Sequence, residues 1–393
     1  MGFQITPPLL NEKSVLNQYD KEKLLKEYIR QGSAAWERAA GDDPLDERRL
    51  KRVNYTYDEL IAQPEKIKET IVSEKDTVKE VVARLIKRRI NRIYMVGCGD
   101  SIAAMRGTRY FLEILLGIPC EEVEALDFAY YYHHTLDENS LVITLSSSGT
   151  TLRVLEAMYV ARAAGAQTLA LSNTIDSILM KEATAGIMIH AERKGWPTQS
   201  STSAMALIIE FALSLAEALG RDQDMVYRMR REFEAIPDKM AEVINNSDKI
   251  IRKWAKDNCN KQMYLFCGGG PFYTCAEYGA AKVKEATPDY ANAIPLEEYH
   301  HYNSQKEGDP LFLIAPSGFS TYRALETIYA GHSMGGKIYV LTNEKEKELI
   351  QEADESLILP EAPEYLANFL FSIPVQLLGY YISQEQIARA KEK

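Results

Sequence analysis

The sequence lacks several features that would place it quickly in a class of proteins. Within its 393 residues no run of 18 uncharged apolar residues occurs, because Glu210 and Glu217 interrupt the best candidate, residues 203–220. We therefore expect a buried helix there and no membrane association. The five cysteines form no CxxC pair, and the chain is large enough to need no disulfides. This pattern favours a reducing cytoplasm, with the thiols as small core residues.

Positive charge is also scarce. The chain carries 46 Lys and Arg against 56 Asp and Glu, a formal net charge of -10. Nucleic-acid binding depends on clustered cations that neutralise phosphates, so we expect no nucleic-acid partner. None of the six histidines has metal-ligand spacing with Cys or Asp, and we predict no metal. The N-terminal residues lack the basic and apolar regions of a secretion signal, which again favours the cytoplasm.

The chain does contain an internal repeat. The segment RIYMVGCG at 92–99 aligns with QMYLFCGG at 262–269, and TLRVLE at 151–156 aligns with TYRALE at 321–326, both at an offset of 170. The register continues without a gap over about 80 residues, so two units of one architecture follow one another.

Within each unit, short β-branched or aromatic runs alternate with amphipathic stretches, which is typical of parallel βα units. The fold class is therefore α/β, with two tandem three-layer α/β/α domains and parallel, doubly wound sheets. We predict strands near 92–96, 121–125, 141–145, 167–171 and 186–190, and again near 263–267, 291–295, 311–315, 338–342 and 356–359.

Four regions follow from this pattern. Residues 1–90 form an N-terminal extension, charged and irregular to residue 53, with two helices between 57 and 90 that are separated near Pro64. Residues 91–220 form the first domain, 221–260 a helical connector and 261–385 the second domain, whose last helix we place at 364–381.

Hydroxyl side chains cluster in TLSSSGTT at 144–151, between a predicted strand and a predicted helix. Ligands of open parallel sheets bind at such places, and a helix N-terminus attracts phosphate without a basic side chain. One helix cap would need a single hydroxyl residue, so we interpret the loop as a phosphate site. The equivalent loop of the second half, PSGFST at 316–321, is less suited to phosphate because it contains proline and phenylalanine. We expect one full phosphate site per chain.

The glycine loop GCGDS at 97–101 is a weak dinucleotide motif, because Ile102 stands where a third glycine is required. We predict no cofactor. We expect Ser101, at the start of a predicted helix, to contribute a hydroxyl group that binds the same phosphate ligand.

Acid–base residues lie close together in the second half. Lys282 and Glu285 end a predicted helix, and His300 and His301 follow within twenty residues. These residue types can move a proton between sugar carbons and oxygens. A solvated helix end is the alternative, since helix C-termini favour cations.

The motifs GCGDS at 97–101, GIPC at 117–120, SSSGTT at 146–151 and Ser201-Thr202, together with the duplicated domain, resemble sugar isomerase (SIS) domain proteins. The similarity covers about residues 57–380. It is greatest to the isomerase half of glutamine:fructose-6-phosphate aminotransferases and to fructosamine-6-phosphate deglycases.

The resemblance implies that the hydroxyl loop binds a sugar phosphate and that a glutamate shuttles a proton between C1 and C2. A histidine, often from the partner subunit, assists it. The implied catalytic residues are Glu285, His301 and Lys282. The implied substrate-binding residues are Gly99, Ser101, Ser146, Ser147, Ser148, Thr151, Ser201 and His300. A homodimer or higher homo-oligomer is expected.

Three features depart from the family pattern: His301-Tyr302-Asn303 replaces His-Gly-Pro, a C-terminal pocket lysine is not recognisable, and no glutaminase residues are found.

We therefore expect no glutaminase activity. The function expected is that of a deglycase, cleaving a 6-phosphorylated Amadori compound into an amine or amino acid and hexose 6-phosphate. An aminosugar-6-phosphate deaminase and an aldose–ketose isomerase remain alternatives. A sugar-phosphate sensor without catalysis is a rival of another class, although residues 1–90 show no basic helix-turn-helix pattern.

Overall fold

The computed structural model describes residues 6–32, 43–302 and 305–392. It contains two five-stranded, wholly parallel sheets, which confirms the predicted fold class. The strands of the first sheet are β1 (Arg92–Gly97), β2 (Cys120–Glu124), β3 (Ser140–Leu145), β4 (Gln167–Ser172) and β5 (Ala185–Met188). Those of the second are β6 (Met263–Gly268), β7 (Tyr290–Pro295), β8 (Pro310–Ile314), β9 (Lys337–Thr342) and β10 (Glu355–Ile358).

Helices cover both faces of each sheet. In the first part of the chain they are α1 (Gln18–Gln31), α2 (Glu47–Ile61), α3 (Gln63–Leu85), α4 (Asp100–Leu116), the single turn α5 (Ala125–Asp127), α6 (Leu152–Ala163), α7 (Ile178–Glu182) and α8 (Gln199–Ala218). The connector holds α9 (Gln223–Glu234) and α10 (Ile236–Asn258). The second half adds α11 (Tyr273–Ala286), α12 (Thr321–Ser333), α13 (Lys347–Glu352) and α14 (Glu364–Glu392).

The two sheets share one topology. The strand order is β2-β1-β3-β4-β5 in the first and β7-β6-β8-β9-β10 in the second. In each sheet the order reverses between the first and third strands, and ligands of doubly wound sheets bind in the crevice beyond the carboxyl ends of those strands. In the first half this crevice lies after β1 and β3, where the glycine loop and the hydroxyl loop emerge.

The repeat seen in the sequence is a repeat of structure. Strands β4 and β9 span residues 167–172 and 337–342, and β5 and β10 span 185–188 and 355–358, each pair at the offset of 170. Every predicted strand has a counterpart within about two residues at either end. The buried apolar strands were visible in sequence because parallel strands between two helix layers read as continuous apolar runs.

The prediction was wrong at both ends of the chain. Residues 1–53 were expected to be irregular, yet α1 and the start of α2 lie there, while residues 1–5 and 33–42 fall outside the described part. Helix α1 buries only Asp20, Leu24 and Tyr28, so its apolar period is weak. Helix α14 was expected to end at residue 381 but continues to Glu392, passing Pro374 inside a buried stretch.

Close packing of helices joins the two halves. Thr274 Oγ1 of α11 donates to the carbonyl of Ala103 in α4 at 2.9 Å, and Asn368 Nδ2 of α14 donates to the carbonyl of Gly107 at 2.7 Å. A Cβ atom at Gly107 would lie 2.8 Å from that amide nitrogen, so the approach requires glycine. This contact fixes the position of α11 relative to the first sheet.

Among the helices that the structure describes, two are long and apolar enough to cross a membrane by length and composition, namely α8 and α14. Their apolar windows are 89% and 94% buried inside the protein. Both are therefore core helices, as the two glutamates of α8 had indicated for that helix.

Candidate active site

A cavity of about 350 Å³ lies at the crevice of the first sheet. Its walls come from the loops after β1 and β3, from the first turn of α8 and from the end of α11. The first half therefore supplies most of the walls, and the second half supplies the side chains at the end of α11.

The first turns of three helices contribute to the cavity. Gly99 precedes α4, Thr151 precedes α6, and Ser200 and Ser201 lie in the first turn of α8. None of the three N-cap residues makes a side-chain capping hydrogen bond. Backbone N–H groups and the positive ends of the helix dipoles are thus available to a bound anion.

The hydroxyl loop is held in shape by its own side chains. The hydroxyl oxygens of Ser146 and Thr151 lie 2.9 Å apart, and the N–H of Gly149 donates to Ser146 Oγ at 3.1 Å. Gly149 has a positive φ of 60°, and a Cβ atom there would lie 2.0 Å from Ser177 Oγ, so only glycine fits. The loop is preorganised before any ligand binds.

The hydroxyl residues divide between the two sides of the loop. Ser146, Ser147 and Thr151 line the cavity. Ser148 is exposed outside it, where its hydroxyl accepts from the backbone N–H of Thr150 at 3.3 Å. Of the four predicted loop residues, Ser148 is therefore the one that does not line the cavity.

The remaining predicted binding residues of the first half, Gly99, Ser101 and Ser201, also line the cavity. Among the other lining residues, sequence reasoning missed four with charged or hydroxyl side chains: Asp100, Arg193, Ser200 and Lys284. Asp100 lies within the GCGDS motif and Ser200 directly precedes Ser201-Thr202, so both could have been included. Arg193 lies in an irregular segment after β5, where sequence gave no reason to expect a cavity.

Glu285 is the carboxylate of the second half that reaches this cavity. Behind it, Lys282 is buried and donates to both Asp100 Oδ2, at 2.8 Å, and Glu285 Oε2. The lysine thus links the carboxylate of α11 to the first turn of α4. This contact between the halves fixes the position of Glu285.

The protonation of this cluster follows from its surroundings. Burial raises the pKa of the Glu285 carboxyl, and the charge of Asp100 adds to the rise while Lys282 opposes it. Its side chain is 27% exposed, but it opens into the cavity, so the surrounding protein still desolvates it. Burial opposes protonation of Lys282, yet Asp100 and Glu285 outweigh it and raise the pKa of this ammonium group. Glu285 can therefore change its protonation state beside a fixed positive charge.

The two predicted histidines do not line the cavity of their own chain. His300 Nε2 lies 2.9 Å from Thr327 Oγ1, and burial lowers the pKa of this imidazole. His301 is 59% exposed, with Nε2 3.2 Å from Glu297 Oε1. Both follow β7 at the edge of the second sheet, so a histidine at this cavity would have to come from another subunit.

Cysteine and metal chemistry find no support in the described residues. Cys98 lines the cavity, but burial raises the pKa of its thiol to about 12, and Sγ donates to Glu124 Oε1 at 3.2 Å. The thiol is therefore protonated near neutral pH and is a weak nucleophile. Across residues 6–32, 43–302 and 305–392, no group of three or more His, Cys, Asp or Glu could hold a metal ion.

Comparisons with known proteins agree with this architecture. A glutamine–fructose-6-phosphate aminotransferase (isomerizing) of Thermococcus kodakarensis is 27% identical over 336 residues, which cover 84% of this chain and 55% of that protein. The chain thus spans about half the length of the curated relatives it matches.

Among solved structures, the C-terminal domain of glucosamine-fructose-6-phosphate aminotransferase from Francisella tularensis superposes with a TM-score of 0.76. The two share 23% identity over 84% of this chain and 96% of that one. Glucosamine-6-phosphate deaminase from Thermotoga maritima superposes with a TM-score of 0.61 at 22% identity, over 82% of this chain and 95% of that one.

The sequence model of the SIS domain matches twice, at residues 85–218 and 258–383, and so covers both sheets. With the duplicated parallel architecture and the match to the isomerase region of the aminotransferases, these two matches show that the chain belongs to the SIS domain family of phosphosugar proteins.

Proposed function

We propose that the protein is an enzyme that binds a 6-phosphosugar carrying an amine and releases the amine after proton transfer between C1 and C2. One observation carries the proposal. A single cavity combines the N-terminal turns of three helices, lined with hydroxyl groups, and a carboxylate whose pKa is raised by burial. A sensor would need the first feature but not the second.

The phosphate would bind at the hydroxyl loop. Ser147 and Thr151 can donate O–H groups, and the first turns of α4, α6 and α8 supply N–H groups. Hydroxyl groups and backbone N–H groups can hold a phosphate without a basic side chain in contact with it.

Glu285 would carry the proton. On a 6-phosphorylated Amadori compound, its carboxylate takes a proton from C1, and the C2 carbonyl oxygen receives one from an acid, giving an enaminol. Protonated Glu285 then returns the proton to C2 while the nitrogen lone pair forms the C1=N bond, which gives a protonated imine and leaves the hydroxyl group at C2 in place. Water hydrolyses this imine to the hexose 6-phosphate and the free amine.

Lys282 and His301 would have supporting roles. The buried ammonium group of Lys282 holds the Glu285 carboxylate at the cavity wall. We assign the acid at the C2 oxygen to His301 of a second subunit, because the histidine of the same chain lies away from the cavity. The active protein would then be at least a homodimer.

Relatives support the choice of an amine-bearing sugar phosphate. The aminotransferase of Thermococcus kodakarensis is named for fructose 6-phosphate, and the Thermotoga maritima structure for the deamination of glucosamine 6-phosphate. Both names describe the chemistry of nitrogen at a phosphorylated hexose, which is the class of substrate proposed for this chain.

The test is an assay of wild type and Glu285→Gln with glycated amine 6-phosphates, glucosamine 6-phosphate and unsubstituted hexose 6-phosphates. We expect free amine from the first group, and a fall in kcat of about 10²- to 10⁴-fold in the variant, because general acid–base catalysis is worth that much. Binding of the phosphosugar, measured by calorimetry, should survive the substitution. Unchanged turnover in Glu285→Gln would contradict the mechanism, while release of ammonia or plain isomerisation would move the assignment to another member of the class.

The pH profile sharpens this test. Because Glu285 must be ionised to take the proton, kcat/KM of the wild type should fall as the pH drops through its raised pKa. The acid limb is therefore expected above about pH 4.3, the ordinary value for glutamate.

A further inference from the structure

Two cations line the same cavity without a role in the mechanism above. Arg193 comes from the segment between β5 and α8, and Lys284 precedes Glu285 on α11. Both side chains are exposed at the cavity. Among the described residues, neither makes a salt bridge or a side-chain hydrogen bond, although the chain has an excess of carboxylates that could have paired with them.

A third cation, Arg52, interacts electrostatically with Arg193. The Arg52 guanidinium of α2 stacks over the Trp196 ring, with its carbon 4.1 Å from the ring centroid. Burial lowers the pKa of Arg52, and the charge of Arg193 lowers it further, while Glu285 and Glu59 act the other way. Two like charges are therefore held near each other, and an anion bound between them would offset the repulsion.

The position of Arg193 is fixed by the backbone around it. The N–H of Lys194 donates to Glu59 Oε1 at 2.5 Å, and the N–H of Trp196 donates to Thr56 Oγ1 at 3.0 Å. Between them, a Cβ atom at Gly195 would lie 2.8 Å from the backbone of Thr56, so only glycine permits this approach to α2. The segment is thus attached to α2 on both sides of one glycine.

Two observations relate these cations to Glu285. Lys284 is adjacent to Glu285 in the chain, and Arg52 interacts electrostatically with both Glu285 and Arg193. The phosphate at C6 belongs to the hydroxyl loop, and Glu285 acts at C1 and C2. In this proposed binding mode, cations that lie near Glu285 would face the nitrogen substituent at C1.

We propose that Arg193 and Lys284 bind the carboxylate of an amino acid joined through its nitrogen to C1 of the 6-phosphosugar. The inference rests on the function proposed above and narrows it. The substrates are Amadori compounds of amino acids with a free α-carboxylate, and simple amines are poor substrates. An Arg and a Lys beside each other suit a carboxylate, which accepts two charge-assisted hydrogen bonds at once.

The test compares two substrates that differ in one group: the fructosamine 6-phosphates of glycine and of glycinamide, whose carboxylate is replaced by a neutral amide. The wild type should prefer the acid by about 10- to 100-fold in kcat/KM, the range for hydrogen bonds to charged groups. In Arg193→Met and in Lys284→Met this ratio should fall toward one. Lys194→Met is the matched control, because Lys194 pairs with Glu192 at 2.8 Å and does not line the cavity, so its ratio should stay that of the wild type.

The affinities of the Glu285→Gln variant for the acid and for the amide, measured by calorimetry, give the same comparison without turnover. Equal affinity for acid and amide would overturn the carboxylate subsite while leaving the proposed function intact. Equal losses for both substrates in Arg193→Met would also overturn it, since the cations would then act on the phosphate. If the wild type released amine from neither compound, the proposed function itself would fail.

Discussion

The hydroxyl loop at 146–151 and its repeat at 316–321 occupy equivalent places in two sheets of one topology, yet their surroundings differ. The first loop lines a polar cavity. At the second, the Glu364 carboxylate accepts the backbone N–H of Phe319, and a Cβ atom at Gly318 would lie 2.6 Å from the carboxyl carbon. A carboxylate of the protein thus binds at the N-terminus of α12, where an anionic ligand would otherwise bind.

A loop after a parallel strand is therefore not sufficient for a phosphate site. Phe319 is fully exposed, and the groove beside it is lined by apolar groups of Tyr110, Ile114 and Pro271. The second half contributes to the first cavity instead, through Lys282 and Glu285. In the proposed mechanism, the first copy would bind the phosphate and the second copy would supply the groups for proton transfer.

The largest predicted loss of activity concerns His301, and it tests whether the second copy supplies the groups for proton transfer. We expect His301→Ala and Glu285→Gln each to lose about 10²-fold or more in kcat, as for the loss of an acid or base. Heterodimers of the two variants, isolated with two different affinity tags, should regain about half of the wild-type activity, because one of two cavities then has both side chains.

Two tagged copies of Glu285→Gln serve as the control and should remain inactive. Inactive mixed dimers would contradict the assignment of His301 to the partner's cavity. Full activity of the His301→Ala homodimer would remove the histidine from the mechanism, and His300→Ala would then be examined in the same way.

A smaller effect compares the loops directly. Ser147→Ala removes a hydroxyl that lines the cavity, so the KM for the phosphosugar should rise about 10-fold, as for one hydrogen bond to a charged group. Ser317→Ala at the same place in the second half should leave KM unchanged. Inhibition by inorganic phosphate, measured on both variants, should follow the same order. Equal effects at the two positions would mean that the second loop also binds substrate.

The sequence predicted which segments meet at this site better than it predicted which side chains line it. The hydroxyl loop, Ser101, Ser201 and Glu285 meet at one cavity because the carboxyl ends of parallel strands share an edge and the repeat reveals both sheets. Which hydroxyl of the loop lines the cavity depends on the turn at Gly149, and this cannot be read from residue types.

Arg193 was missed for a related reason. Its place depends on the close contact of Gly195 with α2, a helix more than 130 residues away in the chain. The prediction failed in the same way at α1. Its sequence is mostly polar and shows little apolar periodicity, and its few buried residues are buried only because the helix packs on the first half. Long-range packing, which leaves no local pattern, accounts for both cases.

The smallest predicted change in KM concerns the packing of α1 against the hydroxyl loop and α6. Gln31 Nε2 donates to the carbonyl of Thr150 in the hydroxyl loop at 2.6 Å, and the Tyr28 hydroxyl donates to the buried Glu156 on α6. Gln31→Ala should raise the KM for the phosphosugar about 2- to 10-fold with little change in kcat, since one neutral hydrogen bond that supports the loop is lost. Gln18→Ala on the same helix, which removes an exposed bond to Glu22 at 3.0 Å, is the control and should leave KM unchanged. A change in kcat rather than KM would show that α1 influences the proton-transfer step and not the phosphate loop.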